Sequence, residues 1–193
     1  MIRIRALRRQ AISAMMACTF LALGLATLNA EEKGQAFDFA DGKLKMTAPA
    51  NWVRKNPTVR IVEHEFSIPK TGDDENDGRF TVMGAGGSID ANIDRWIGQF
   101  TQADGSSTKD KTKKDVRKIK EHMVHVVDIS GNYKDSPRGP MGPTVTREGY
   151  RMLSAIVVTE KSGLVFLKFY GPKATVEANE KAFNEMLQSL QMN

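Results

Sequence analysis

The sequence predicts an α+β fold, and three observations carry that prediction. Across most of residues 36–170 the apolar side chains recur with a period of two, as on a strand with one buried face. Two segments break this period with helical spacing, one in the middle of the chain and one near its end. Two pairs of strand-like runs flank turn sequences suited to hairpins, Asp41-Gly42 and Glu160-Lys161-Ser162-Gly163.

Phe37 and Phe39, then Leu44 and Met46, alternate around Asp41-Gly42 and predict an opening hairpin with a tight turn. After Pro49-Ala50-Asn51-Trp52, the residues Val62, His64, Phe66 and Ile68 share one strand face, with Glu63 and Glu65 on the other. A second strand covers residues 79–83. Ile89, Ile93, Trp96, Ile97 and Phe100 then line one side of a helix, and Asp90 and Asp94 suit its dipole.

Residues 101–115 are polar and read as a loop. Strand character returns over 116–129, and 131–149 reads as a long connection holding Pro137, Pro140 and Pro143. The longest apolar strands, 150–159 and 164–170, are expected at the centre of the sheet. Gly171-Pro172 ends the last one, and Val176, Phe183, Met186, Leu187 and Leu190 predict one closing amphipathic helix, which Thr175 is placed to cap.

The amino-terminal thirty residues have a different character. Arg3, Arg5, Arg8 and Arg9 precede an uncharged run over 11–28 that closes on Leu28-Asn29-Ala30, the layout of a secretory signal peptide. Residues 1–30 are therefore expected to be a leader and 31–193 a single exported domain, periplasmic or extracellular. The alternative is an uncleaved membrane anchor, because the apolar run is about as long as the shortest spanning helix. Cys18, the only cysteine, falls in the leader, so the mature region has neither disulfides nor thiol chemistry. The net charge of +5 is also largely the leader's: without its four arginines, 24 basic residues face 23 acidic ones, a net of +1. No general attraction to nucleic acid or membrane follows from such a balance.

The order of elements, an early hairpin, the 49–52 turn, a strand pair, a middle helix, a strand meander and a final helix ending Phe183-Asn184-Glu185-Met186-Leu187-Gln188-Ser189-Leu190, resembles the PsbP-like fold over nearly all of residues 36–191. That family is named after an extrinsic subunit of photosystem II and recurs in exported bacterial proteins. The resemblance implies a mainly antiparallel β-sheet flanked by helices, an α/β/α sandwich, in a binding or assembly role without catalytic residues. The Tyr150-Arg151-Met152-Leu153 strand start is similar to that of exported bacterial proteins of unknown role and implies no activity.

The residues themselves nominate no catalytic group, no metal site and no cofactor. His122 and His125 would share a helix face, but Met123, Val124, Val126, Val127 and Ile129 predict a strand, which sends the two rings to opposite sides. His64 reads as a hydrogen-bonded core or edge residue. Asp73-Asp74-Glu75-Asn76-Asp77-Gly78 alternates acids as a calcium loop does, yet its twelfth position is Gly84, so it reads as a solvated turn. Gly84-Ala85-Gly86-Gly87-Ser88 fails the dinucleotide pattern at Ile89, and Ser88 reads as a helix cap. No Gly-x-Ser-x-Gly elbow is present.

One local charge excess stands out. Lys109, Lys111, Lys113, Lys114, Arg117, Lys118 and Lys120 crowd together against Asp110 and Asp115. Lys111, Lys113, Lys114, Arg117, Lys118 and Lys120 form the candidate partner-binding patch, and lysines of this kind also keep an exposed edge strand from aggregating. The expected function is an exported, non-catalytic binding or accessory module whose partner is a protein or an anionic envelope component. No specific nucleic acid is implied, and membrane contact is expected only if the leader is retained. The alternative is a hydrolase or metal-dependent enzyme whose site assembles only in three dimensions.

The leader makes a direct prediction: the exported protein begins at Glu31. The intact mass of the secreted form checks it, and a mass that includes residues 1–30 would favour the anchor.

Overall fold

The computed structural model describes residues 33–136, 142–159 and 163–193. The leader, Cys18 and Glu31 lie outside that set, as do Pro137, Pro140 and the Glu160 to Ser162 part of the second hairpin loop.

In chain order the elements are β1 (Gln35–Phe39), β2 (Leu44–Ala48), β3 (Val53–Lys55), β4 (His64–Ile68), β5 (Gly78–Ala85), α1 (Ile89–Ile97), β6 (Phe100–Thr101) and α2 (Thr108–Lys111). The second half adds β7 (Lys113–Ile119), β8 (His122–Asp135), β9 (Val145–Thr159), β10 (Gly163–Pro172), α3 (Lys173–Ala178), α4 (Glu180–Gln188) and β11 (Gln191–Met192). A large sheet runs β3-β4-β5-β10-β9-β8-β6, with β7 also paired to β8, and a small sheet runs β1-β2-β11. Every pairing is antiparallel. The fold is α+β, with helices on both faces of the large sheet, and β9 and β10 are central as expected.

Strand alternation divides the buried side chains into two cores. On one face Phe66, Phe80, Leu153, Ala155, Val157, Leu167 and Phe169 pack with β1, β2, α3 and α4. Trp52 is completely enclosed there, its ring 5.3 Å from Phe80 and 5.4 Å from Phe169. On the other face Met152, Ile156 and Phe166 pack with Ile93, Trp96 and Ile97 of α1. Ser88 caps α1, its hydroxyl accepting from the Ala91 amide at 3.2 Å.

Several local expectations are corrected. The opening hairpin turn is longer than Asp41-Gly42, since β1 and β2 close at Phe39 and Leu44, and Ala40, Asp41 and Gly42 all have positive φ. The Glu63 carboxylate holds that turn by accepting from the Ala40 amide. Phe100 leaves the helix and enters β6, yet it remains buried with the α1 core. The polar stretch 101–115 is not all loop, since it includes α2 and the start of β7.

The strand expected over 116–129 is a hairpin, β7 and β8, turning at Lys120-Glu121 with Lys120 at φ 51°. β8 also runs on through Gly131 instead of stopping there. The register shifts at Gly131, whose φ is 150°, and a Cβ there would lie 2.6 Å from the Thr101 carbonyl oxygen. Glycine thus builds a bulge beside β6 and shortens the expected long connection.

The closing helix is two helices. Asn179 separates α3 from α4 with φ −104° and ψ 5°, and its side chain accepts from the Trp52 indole N–H at 3.1 Å while donating to the Thr175 carbonyl at 2.9 Å. Thr175 is not the cap; Pro172 occupies that position. Asp74 does the capping work from the β4–β5 turn, accepting from both the Thr175 amide and its hydroxyl.

Trp96 is 3% exposed and meets Phe166 edge to face at 5.0 Å. Trp96→Ala is expected to cost about 3 to 5 kcal/mol, the range for emptying a buried aromatic site. Chemical denaturation measures it, and a loss below about 1 kcal/mol would mean that α1 does not seal this face.

Candidate functional site

A groove of about 620 Å³ opens between β7 and the helices α3 and α4. β7 contributes Lys113, Lys114, Asp115 and Arg117; β8 and β9 contribute Asp128 and Arg151; α3 and α4 contribute Lys173, Glu177 and Glu180. The candidate patch is therefore partly gathered here, through Lys113, Lys114 and Arg117. Lys111 lines a smaller adjoining recess with Lys113, whereas Lys118 and Lys120 lie outside both.

The groove's charges are mostly paired. Arg151 is buried at its floor, bonds both Asp128 carboxylate oxygens at 2.9 Å and reaches Glu180 at 2.8 Å. This fork joins β8, β9 and α4, with the planar guanidinium matched to a carboxylate. Arg117 holds Asp115 at 2.6 Å and donates to the Asn184 side chain on α4 at 2.7 Å. Lys173 pairs with Glu177 one helical turn away at 3.6 Å. All four lining carboxylates are thus engaged, and Lys113 and Lys114 have no ion-pair partner among the described residues.

Just beyond, Lys111 bonds Asp104 at 2.7 Å and holds its carboxyl well below the usual range. Arg117 lowers Asp115 in the same way. Both cations have local duties, so a ligand would compete for them with existing carboxylates.

A second polar cluster was not anticipated from the sequence. Lys168 sits on the α1 face of the central strand β10, with its ammonium 2.9 Å from the Gln99 side-chain oxygen and 3.1 Å from the Tyr133 hydroxyl. The rings of Tyr133 and Tyr170 stand 5.2 and 4.9 Å from it. Arg79 donates to the Tyr170 hydroxyl and forks onto Glu65, while Arg147 pairs with Asp135. Burial, then the nearby Arg79 charge, pushes Lys168 down to about 7, against a weaker opposing pull from Asp135. Burial pushes Tyr133, Tyr150 and Tyr170 up. A single lysine inside the apolar run 164–170 is the signal that marks this position in the sequence.

The other sequence candidates are not brought together. His64 bridges Arg54 and the Asp38 carbonyl, joining β4 to β1. His122 and His125 point to opposite faces of β8, His122 lying buried near the Val158 carbonyl. In the acidic turn, Asp74 serves α3, and Asp77 accepts from the Ser67 hydroxyl and the Lys70 amide. Among the described residues, no group of three or more potential ligands is placed to hold a metal ion.

No protein-family model and no curated protein sequence matches this chain. Similar solved structures include LpqN of Mycobacterium tuberculosis, described as involved in cell envelope biogenesis: TM-score 0.50, 9% identity, 82% of this chain and 89% of that one. They also include the cyanobacterial PsbP (CyanoP) of Synechocystis sp. PCC 6803, with TM-score 0.48, 9% identity, and 89% and 99% coverage. A protein of Bacteroides thetaiotaomicron VPI-5482 aligns with TM-score 0.44 and 14% identity over 83% of this chain, which spans about half (49%) of its length. The likeness is one of fold alone.

Lys168 generates a pH prediction. Folding disfavours its ammonium, so between pH 7 and the ordinary lysine range the unfolded chain binds more protons at this site, and stability rises with pH. The penalty is full below pH 7 and is relieved as the pH climbs. Wild-type stability relative to Lys168→Met is expected to rise by about 1 to 3 kcal/mol from pH 7 to 9.5, allowing for partial exposure. Urea titrations at both pH values check it, and an unchanged difference would mean that Lys168 stays charged.

Proposed function

We propose that this chain is an exported, non-catalytic binding or accessory module that engages an anionic partner, a protein or an envelope component, through the β7 edge and its groove. The observation that carries this reading is the β7 edge, where Lys113 on the groove face and Lys114 on the opposite face both lack carboxylate partners among the described residues, beside a groove whose acids are all engaged. The signal-like layout of residues 1–30 supports export. Among the described residues no helix is long and apolar enough to cross a membrane, and the envelope role described for LpqN agrees with the same location.

Exposed charge attraction is screened within about 8 Å at physiological salt, so binding of this kind weakens as salt rises. Replacing Lys113, Lys114 and Lys118 with Gln is expected to reduce partner recovery from envelope extract roughly three- to hundredfold, at about 0.2 to 1 kcal/mol per lost pair. Arg117 is kept because it braces α4. Thermal stability of the variant should change by less than about 0.5 kcal/mol. Salt-independent recovery equal to wild type would refute the reading.

A further inference from the structure

β7 is an edge strand. It pairs with β8 on one side, and among the described residues no strand pairs with its other side. The two-residue turn makes Ile119 and His122 a pair joined by both backbone hydrogen bonds, and antiparallel pairs alternate from there. Lys113, Asp115, Arg117 and Ile119 therefore direct their N–H and C=O groups toward β8. Lys114, Val116 and Lys118 direct theirs outward, a row without strand partners among the described residues, in which the Val116 amide leans on the Asp115 carboxylate that an added strand would displace.

The side chains along this edge fit one kind of occupant. Four of the seven β7 residues are cationic, and the lone acid, Asp115, is held by Arg117. Val116, at the middle of the open row, is 52% exposed. Two copies of such an edge repel each other, which blocks self-pairing. The same charge attracts an acidic strand, whose carboxylates would lie opposite lysines across the new ladder.

We propose that the open edge of β7 takes an extended acidic segment of a partner protein as an added strand, paired through the backbone of Lys114, Val116 and Lys118. This rests on the binding reading above and adds its mode. An anionic polymer or lipid surface meets the lysines but has no peptide groups for the outward row, which is why a protein segment is favoured.

The test uses the purified chain from residue 31 onward and a fluorescein-labelled seven-residue peptide alternating Glu with Thr, read by anisotropy. A second copy of the peptide carries backbone N-methyl groups at alternate residues on its pairing edge, which removes those donors without changing charge. Phosphatidylglycerol vesicles are the third probe. Strand addition predicts saturable binding of the first peptide and at least a tenfold loss on methylation. Val116→Pro, which deletes one outward donor, is expected to show a comparable loss, and Val116→Thr, which keeps it, should bind as wild type. If Val116→Pro fails to fold, the methylated peptide decides alone.

Equal, salt-sensitive binding of both peptides would overturn strand addition and leave the charge-based reading standing. Binding to vesicles with neither peptide retained would overturn it in favour of a lipid surface. Failure of all three probes would overturn both readings.

Discussion

Both faces of β9 and β10 are buried, and a hydrogen-bonded sheet lets nothing pass between its faces. The two cores must therefore be sealed separately. α1 seals one, with Ile93, Trp96 and Ile97 over Ile156 and Phe166; the small sheet together with α3 and α4 seals the other. The polar clusters mark where these covers end. Lys168 lies where Gln99 follows α1, and Arg151 lies on the groove's lining where it reaches Glu180 of α4. Each cation is tied to several elements because a charge at the rim of a core has to be satisfied locally.

The groove arises from the same geometry. β7 ends the sheet, and on the helix side Lys113, Asp115 and Arg117 border a trough against α3 and α4 while Ile119 packs into the core. The Arg151 fork to Asp128 and Glu180 fixes the trough's floor, and Arg117 fixes its wall to α4.

The features legible in the sequence were local ones. The α1 stripe, the central strands and the lysine cluster all announce themselves within a dozen residues. The β7–β8 turn did not, because Lys120-Glu121 contains no glycine, asparagine or proline, and Gly131 resembled a terminator while serving as a bulge. The break at Asn179 answers to Trp52, 127 positions earlier, and the α3 cap comes from Asp74, 101 positions away. The groove was half visible for the same reason. Its cations are neighbours in sequence, whereas Asp128, Arg151, Glu177 and Glu180 arrive from four separate elements.

The small sheet joins near-opposite parts of the described chain. β2 pairs with β11, the Thr47 amide donates to the Ser189 hydroxyl 142 positions later, and Asn193 bonds the carbonyls of Gly42 and Lys43. A ribosome adds about 5 to 20 residues per second, so roughly seven to thirty seconds separate synthesis of β2 from that of its partner. Through that interval the outer edge of β2 stays open, and the first core lacks the helices that close it. The small sheet is therefore the last to close, because its third strand is not available until residues 191–192 have been made.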